Sequence, residues 1–302
     1  MAGDVNYASV SLLLHGDGTN GSTTFTDNSP TPKTITANGV AQISTAQSKW
    51  GGASAIFSSG GSLTLASDAA FGFGTGDLTI EAWVYLTGNA VAGGNTICDF
   101  RASAAASPWV FNIVNTGAGN KIGTYLSTSP DVSSGTNYVS LNTQTHVAIT
   151  RASGVWRVFI AGVEVGTATN AGNLGSSNAL TIGNVVGGTG TTANLPGHLD
   201  DLRITKGVAR YTGNFTPPAA AFDDRSPQVS GNVKDASGAN AARTVRAYRR
   251  DTGALVGSTT SNGTTGNYTI DCSTDTEVTV VALDNATSGT YYNDQAARVI
   301  PA

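Results

Sequence analysis

The stretch that decides the fold is GHLDDLRITKGVARY, from Gly197 to Tyr211, followed by NFTPP at Asn214–Pro218. Polar and apolar side chains alternate along the first part of the stretch, and this pattern predicts one β-strand. The dipeptide Lys206-Gly207 predicts the turn that ends this strand. An aromatic-anchored segment follows, and the two prolines predict where it stops.

Two adjacent carboxylates lie within this strand. Strict alternation places Asp200 on the same face as Leu202 and Ile204, toward a core, and Asp201 on the opposite face. A buried carboxylate needs hydrogen-bond donors. We therefore expect Asp200 to join the strand to the opening segment of the chain, through backbone N–H groups or through a side chain such as His15. Because the two carboxylates point apart, they are not expected to act as an acid–base pair.

The composition indicates an all-β protein of about two domains. The 302 residues include 38 Gly and a single Met, and no long segment carries apolar residues at helical spacing. The formal net charge is −4, and charged residues make up only 12% of the chain. The basic cluster consists of Arg243, Arg246, Arg249 and Arg250. We interpret it as the solvated edge of a strand and expect no nucleic-acid partner, which would need a basic face across the domain.

Period-2 alternation recurs along the first part of the chain. In Asp77–Leu86, one face of the strand is apolar and the other carries Glu81, Trp83 and Tyr85. Further strands are predicted at Thr145–Thr150, Val155–Ile160, Val163–Val165, Ala179–Gly183 and Leu199–Thr205. Ala161-Gly162 predicts a two-residue turn, although Asn-Gly or Asp-Gly would suit the positive φ better. Many short strands with Gly-rich turns predict a sandwich or jelly roll with hardly any helix.

The strand pattern stops at Pro217-Pro218 and restarts after a polar stretch. We place a first domain at residues 1–222, a linker at 223–228 and a smaller domain at 229–302. Cys98 and Cys272 then lie in different domains and predict neither a disulfide nor a metal site. The opening residues lack the basic and apolar parts of a signal peptide, and no apolar run is long enough to span a bilayer. We expect synthesis in the cytoplasm and no membrane insertion.

Five segments carry a resemblance to a known family: Leu12–Gly18, Phe25–Pro30, Ile43–Thr45, Lys49–Phe57 and Asp200–Tyr211. Over residues 9–222 the chain resembles the laminin-G/concanavalin-A-like domains of structural proteins of tailed bacteriophages. Residues 229–302 resemble the carboxypeptidase-regulatory-like (transthyretin-like) modules. The resemblance implies an all-β fold made of a laminin-G/concanavalin-A-like jelly-roll sandwich and a small transthyretin-like β-sandwich domain. It also implies a protein of the virion surface.

The sequence offers no catalytic constellation. It contains three histidines and many serines, but no Gly-x-Ser-x-Gly segment or other signature that would place Ser, His and Asp together. Glycosidases need a pair of carboxylates that flank the scissile bond, whereas Glu81, Asp99 and Glu164 stand isolated on their strands. We expect a protein that is not an enzyme, and a glycan hydrolase is the least favoured alternative.

Asp17, Asn20 and Asp27 are the candidate metal ligands. Calcium binds several carboxylate and carbonyl oxygens, which Gly-, Asn- and Asp-rich loops can supply. Ordinary turns use the same residue types. Both interpretations stay open: the sequence requires no cofactor, and calcium is the one that it allows.

Two surfaces are candidates for carbohydrate binding. One is the strand face that carries Trp83 and Tyr85, and the other is a predicted loop region that contains Trp109 and Tyr125. Aromatic rings stack on the C–H faces of sugars. The alternative interpretation is that a Trp on a sandwich strand fills the core between the two sheets.

The favoured function is a non-enzymatic virion surface protein of a tailed bacteriophage. It would decorate the capsid or tail, or form a short fibre or spike, with weak carbohydrate or host-surface adhesion. The expected partners are other virion proteins of the capsid or tail and host-surface glycans, with the chain present as a homo-oligomer or in many copies. The alternative is a dedicated receptor-binding tail-fibre lectin that depends on calcium.

Overall fold

The computed structural model describes residues 3–58, 60–91, 94–103, 109–126, 131–187, 193–235, 237–272, 277–283 and 295–301. Within these ranges the protein is all-β, as predicted, and its helical segments are the short 3-10 turns Tyr7–Ser9 and Ala69–Phe71. In the same ranges, no helix has the length and apolar character that a membrane span requires.

The chain divides into two compact units. The larger unit is Ser9–Phe222, and the smaller unit combines the described residues before Ser9 with those from Asp223 onward. In the smaller unit, the backbone N–H of Asp4 donates to the carbonyl of Arg225 at 2.9 Å. The opening residues therefore differ from the predicted domain at 1–222, because their backbone is hydrogen-bonded within the other unit.

The larger unit contains fourteen strands among its described residues. They are β1 (Val10–Leu14), β2 (Thr36–Asn38), β3 (Gln42–Ser44), β4 (Ser54–Ile56), β5 (Ser62–Asp68), β6 (Leu78–Leu86), β7 (Asn95–Asp99), β8 (Trp109–Asn115), β9 (Asn120–Leu126), β10 (Thr145–Ala152), β11 (Val155–Ile160), β12 (Val163–Thr169), β13 (Asn178–Ile182) and β14 (Gly197–Lys206). One sheet has the order β12-β11-β10-β6-β14-β4-β3, with β1 also paired to β14. The other has the order β2-β5-β13-β7-β8-β9.

The core of this unit lies between the two sheets. Alternate residues of β6, including Ile80 and Val84, meet residues such as Phe111 and Ile182 from the six-stranded sheet in one apolar cluster. Each sheet therefore has an inner face toward the core and an outer face. This is the arrangement of a β-sandwich, as the alternating pattern predicts.

Two tight turns connect the hairpins of the eight-stranded sheet. Ser153 and Gly154 join β10 to β11 with φ values of 49° and 80°, and Ala161 and Gly162 join β11 to β12 with φ values of 49° and 79°. Two central residues with positive φ give the turn twist that suits a two-residue hairpin. The predicted turn at Ala161-Gly162 is confirmed, with Ala in a conformation that Asn or Gly adopts more easily.

A β-bulge interrupts the alternation in β14. Asp200 pairs with Trp83 and Arg203 pairs with Glu81, so β14 has one more residue than β6 between these pairs. Asp201 occupies the bulge with a φ of 50°. The bulge puts Asp200 on the outer face beside Trp83, and the prediction that Asp200 faces the core is wrong because one inserted residue shifts the pattern.

The smaller unit is a second, smaller pair of sheets. Its strands are β15 (Gln228–Asn232), β16 (Thr244–Arg249), β17 (Leu255–Thr260), β18 (Asn267–Asp271), β19 (Val278–Ala282) and β20 (Gln295–Val299). One sheet pairs β15 with β18, and the other has the order β17-β16-β19-β20. Val229 and Ile270 from the first sheet share an apolar cluster with Val245 and Val280 from the second. The transthyretin-like topology of this unit stays a prediction.

Candidate functional site

The second predicted aromatic surface is not a loop. Trp109 begins β8 and Tyr125 lies on the neighbouring strand β9. Trp109 is fully buried, stacked on Phe100 with 4.7 Å between ring centroids and edge-on to Trp156 at 5.3 Å. The carbohydrate-binding role predicted for Trp109 is wrong, because the ring fills the core between the sheets.

Tyr125 faces the other way and is 56% exposed. The strand register places Asp99 of β7 opposite Val110 of β8, and Val110 opposite Tyr125. Residues directly opposite one another share a face of a sheet. Since Trp109 faces the core, this row lies on the outer face of the six-stranded sheet. An exposed aromatic ring therefore stands at the end of a row that begins with a carboxylate.

A fixed guanidinium completes this face. Asp99 Oδ1 accepts hydrogen bonds from the backbone N–H and Nε of Arg101 at 3.0 and 2.9 Å, and Oδ2 accepts from Nη2 at 2.7 Å. The N–H of Val186 donates to Oδ2 at 2.9 Å. The hydrogen bonds to Asp99 raise the pKa of Arg101 against the opposing effect of burial, and the negative charge of Asp99 adds to the rise. We call Tyr125, Arg101 and Asp99 the outer platform.

The first predicted aromatic surface is largely covered. Trp83 is 6% exposed, and the Lys49 ammonium lies 4.2 Å from its ring centroid. The rings of Trp50 and His146 meet it edge-on at 6.4 and 5.3 Å. Tyr85 is partly exposed. Trp83 therefore lacks the open ring face that sugar stacking requires, and it acts in this structure as a packing residue.

The segment that covers Trp83 is held by the bulged carboxylates. Asp200 Oδ2 accepts hydrogen bonds from the N–H groups of Lys49 at 2.5 Å and Trp50 at 3.1 Å. Asp201 contacts His15 Nδ1 at 2.6 Å through Oδ1 and accepts from the N–H of Phe222 at 2.8 Å through Oδ2. Asp200 thus bonds backbone N–H groups, as one predicted alternative states, whereas the other predicted partner, His15, belongs to Asp201.

Asp200 has an unusual electrostatic environment. Burial, together with the nearby charges of Asp201 and Asp17, raises its pKa to about 7 despite the two backbone hydrogen bonds. Among the described residues, its Oδ1 is a buried atom with no hydrogen-bond partner. The folded protein therefore disfavours the ionised form of Asp200.

Sequence reasoning missed a buried ionic network around Glu81. Its Oε1 accepts from Nε and Nη2 of Arg203 at 3.0 and 2.8 Å, and its Oε2 accepts from the Tyr211 hydroxyl at 2.7 Å. His146 Nε2 lies 3.3 Å from Oε2, and Arg210 Nε lies 3.9 Å from Oε1. Burial alone would raise the pKa of Glu81, but these cationic and hydrogen-bonding partners lower it to about 2. Arg203, Arg210 and Tyr211 belong to the closing stretch, so this network fixes that stretch to the sheet.

The candidate calcium ligands have different surroundings. Asp27 is buried and accepts hydrogen bonds from the N–H groups of Leu13, Ser29 and Lys33 and from the Ser29 hydroxyl, at 2.8–3.1 Å. Asn20 Oδ1 accepts from the N–H of Thr45 at 3.1 Å. No group of three or more His, Cys, Asp or Glu side chains in the described ranges could hold a metal ion. Asp27 does not fit a calcium ligand, since both of its oxygens bind protein donors, and the calcium hypothesis stays a prediction.

Comparison with known families agrees with this architecture. A family model described as the concanavalin A-like lectin/glucanases superfamily matches residues 57–210. The chain belongs to this superfamily. A comparison with curated proteins gives no match.

Several solved structures are similar to this chain at low sequence identity. Domain 4 of an extracellular arabinanase from Geobacillus stearothermophilus, solved with arabinotriose, is 18% identical, with a TM-score of 0.50 over 67% of this chain and 94% of that chain. The binding domain of Paraclostridial Mosquitocidal Protein 1 is 11% identical, with a TM-score of 0.48 over 97% and 76%. Tailspike protein 2 of bacteriophage CBA120 is 13% identical, with a TM-score of 0.46 over 64% and 30%. At 18% identity, the similarity to the arabinanase domain concerns the fold alone.

Proposed function

We propose that this chain is a non-enzymatic carbohydrate-binding protein of the virion surface of a tailed bacteriophage. The observation that carries the binding function is the outer platform, where the exposed ring of Tyr125 lies in the same row of the outer face as Asp99, the carboxylate that fixes the Arg101 guanidinium. A ring face can stack on the C–H face of a sugar, and N–H donors in fixed positions can orient its hydroxyls. Membership of the concanavalin A-like lectin/glucanase superfamily supports the same class of ligand.

The chemistry of the platform favours binding over hydrolysis. Glycoside hydrolysis needs a proton-donating carboxylic acid and a second carboxylate on either side of the scissile bond. Asp99 is fully buried, and both of its oxygens are engaged by Arg101 and Val186. Glu81, Asp200 and Asp201 lie on the other sheet, and each binds a segment that covers that sheet. These contacts support a role for the carboxylates in the fold.

The virion location rests on the resemblance of the closing stretch, Asp200–Tyr211, to domains of tailed-phage structural proteins. On a particle, many copies would compensate for the weak affinity of a small open platform, because multivalent attachment multiplies weak contacts. Mass spectrometry of purified particles produced by the phage that encodes this chain tests the location. The proposal expects the chain among the particle proteins, and its absence from intact particles would contradict the location.

Binding is tested by a glycan array with the full chain, in calcium and again in chelator. We expect binding to be lost, by about tenfold or more in affinity, in Tyr125→Ala and to persist in Tyr125→Phe, which keeps the ring. Val163→Ala is the matched control, because Val163 is 52% exposed on β12 of the other sheet. Loss of binding in chelator would favour the alternative, a calcium-dependent tail-fibre lectin.

Two results would overturn the proposal. Unchanged binding in Tyr125→Ala would exclude the outer platform, and the absence of any bound glycan with folded protein would favour a purely architectural role. Release of reducing sugar from a bound glycan would contradict the non-enzymatic assignment and favour a glycan hydrolase.

A further inference from the structure

The basic cluster of the smaller unit has one member that the fold does not use. Three of its four arginines have partners, in the ion pairs Arg249–Asp251 and Arg250–Glu277 and in the hydrogen bond from Arg243 to the carbonyl of Ala242. Arg246 is exposed, and in the part of the chain that the structure describes no hydrogen bond or ion pair reaches its guanidinium. This guanidinium is therefore available to a ligand.

Arg246 lies on the outer face of the sheet β17-β16-β19-β20. Its neighbours on β16, Val245 and Ala247, belong to the core of the smaller unit, and successive side chains of a strand point to opposite faces. Tyr248 therefore shares the outer face with Arg246, about 7 Å further along the strand. The register places Leu255 of β17 opposite Tyr248, and its side chain is 54% exposed.

This outer face is open, and the side chains opposite Arg246 and Tyr248 leave the guanidinium without a counter-charge. Along the middle of β16 and along β19, buried positions alternate with positions that are partly or fully exposed, and the exposed positions are those of the outer face. Ser258 and Val281 stand opposite Arg246, and Thr279 stands opposite Tyr248. None of these described neighbours is acidic. The face therefore offers an aromatic ring and an unpaired cation side by side.

We propose that this face binds a uronic acid, a sugar ring that carries a carboxylate. A guanidinium presents a planar fork of N–H donors that pairs with a carboxylate through two parallel hydrogen bonds. The ring of Tyr248 can stack on the C–H face of the sugar, and Leu255 extends the apolar surface beside it. The spacing of about 7 Å lets one sugar stack on Tyr248 while its carboxylate reaches Arg246. This site lies in the smaller unit and does not depend on the outer platform.

The test is an NMR titration of the isotope-labelled full chain at neutral pH with glucuronate and galacturonate. Glucose is the matched neutral probe, and glucose phosphorylated at its exocyclic carbon is the matched phosphate probe. We expect saturable shift changes with a uronate and at least about fivefold weaker binding of glucose, which lacks the charge. Equal binding of glucose, or no saturable change with either uronate, would overturn the proposal. Glucose phosphate bound as tightly as the uronates would make this a general anion site and would also overturn it.

Arg246→Gln is the decisive variant. Arg246 is exposed and takes part in no hydrogen bond of the described fold, so the variant should keep a melting temperature close to that of the parent protein. We expect it to bind the uronate at least about fivefold more weakly. Arg250→Gln is the control, because it removes the same charge from an exposed arginine that already has an acidic partner. Unchanged binding in Arg246→Gln, or an equal loss in Arg250→Gln, would overturn the proposal.

Two further measurements test the aromatic ring and the location of the site. Tyr248→Phe keeps the ring and should bind the uronate as the parent does, whereas Tyr248→Ala should bind it more weakly. Equal binding in the two variants would remove the ring from the site and overturn the proposal. The backbone amides that shift should be those of β16 and β19. Shift changes at β8 and β9 instead would assign the uronate to the outer platform, which would overturn this proposal and leave the proposed function in place.

Discussion

Replacing Glu81 with Gln should strongly destabilise the larger unit. Glu81 is fully buried on β6, and its two oxygens accept hydrogen bonds from Arg203 and Tyr211. The Arg203 guanidinium also lies 3.8 Å from the centroid of the Phe222 ring. The variant keeps the size of the side chain but leaves Arg203 without its counter-charge in a buried position.

Two arguments give the size of the loss in unfolding free energy that is expected for Glu81→Gln. Removing one partner of a buried ion pair typically costs about 3–5 kcal/mol, because the other charge stays buried. Independently, the pKa of Glu81 falls from its ordinary value of 4.5 to about 2 on folding. A difference of about 2.5 in pKa corresponds to about 3 kcal/mol. The two values agree. Because 1 kcal/mol shifts the melting temperature of a unit of this size by about 2–4 °C, they predict a melting temperature lower by roughly 6–20 °C.

The sign of the pH dependence follows from the lowered pKa. The native state holds Glu81 ionised more strongly than the unfolded state does, so its contribution is complete above about pH 4.5. That contribution is lost as the pH falls from about 4.5 toward 2. As the pH falls from about 4.5 to 2, the free energy of unfolding should therefore decrease less steeply in Glu81→Gln than in the parent protein.

Urea unfolding followed by tryptophan fluorescence measures these effects. Glu164→Gln is the control, since the Arg157–Glu164 pair is 3.5 Å apart and partly exposed, and such a pair contributes less than about 1 kcal/mol. A double variant with Arg203→Met should recover part of the lost stability, because no unpaired charge then remains at that position. If Glu81→Gln stays within about 1 kcal/mol of the parent protein at neutral pH, the network does not stabilise the fold and the expected magnitude is refuted.

Three further predictions concern other buried groups. Relative to the parent, Asp200→Asn should be more stable at pH 8 than at pH 5 by roughly 3 kcal/mol. The reason is that the raised pKa of about 7 makes the parent less stable as the pH rises from about 4 to 7. A difference between the two proteins that does not change with pH in urea titrations would contradict this. Trp109→Ala should lose about 3–5 kcal/mol of unfolding free energy, because its ring lies in the core. Tyr125→Ala should lose less than about 0.5 kcal/mol, because its ring is exposed. Equal midpoints of thermal unfolding for the two variants would refute the assignment of the two rings to opposite faces of the sheet. Asp27→Asn should lose about 2 kcal/mol or more equally in calcium and in chelator, because its donors belong to the protein; a loss confined to calcium buffer would make Asp27 a metal ligand after all.

The regular strands can be predicted because local patterns determine them. β6, β10 and β11 alternate clearly, and the turn at Ala161-Gly162 has a glycine that tolerates positive φ. β8 is harder to assign because Val110 and Val114 put apolar side chains on its outer face as well. Because both faces of β8 then carry apolar side chains, the sequence around Trp109 lacks the alternation that predicts a half-buried strand.

The bulge and the ionic network cannot be predicted from local patterns. One extra residue at Asp201 leaves no trace in composition, yet it reverses the face on which Asp200 lies. Glu81 stands isolated in the sequence because its partners His146, Arg203 and Tyr211 are distant along the chain and meet it only in the folded sheet. Long-range pairing of this kind requires the strand order, which alternation does not supply.

The same contacts explain why recognition is expected on the six-stranded sheet. The outer face of the eight-stranded sheet binds the chain itself: Lys49 and Trp50 cover Trp83, and Tyr211 covers Glu81. Its aromatic and acidic groups are therefore used in the fold. On the six-stranded sheet the ion pair is satisfied within its own face, and Tyr125 stays exposed. A ligand that stacks on an aromatic ring finds an exposed one there, in Tyr125.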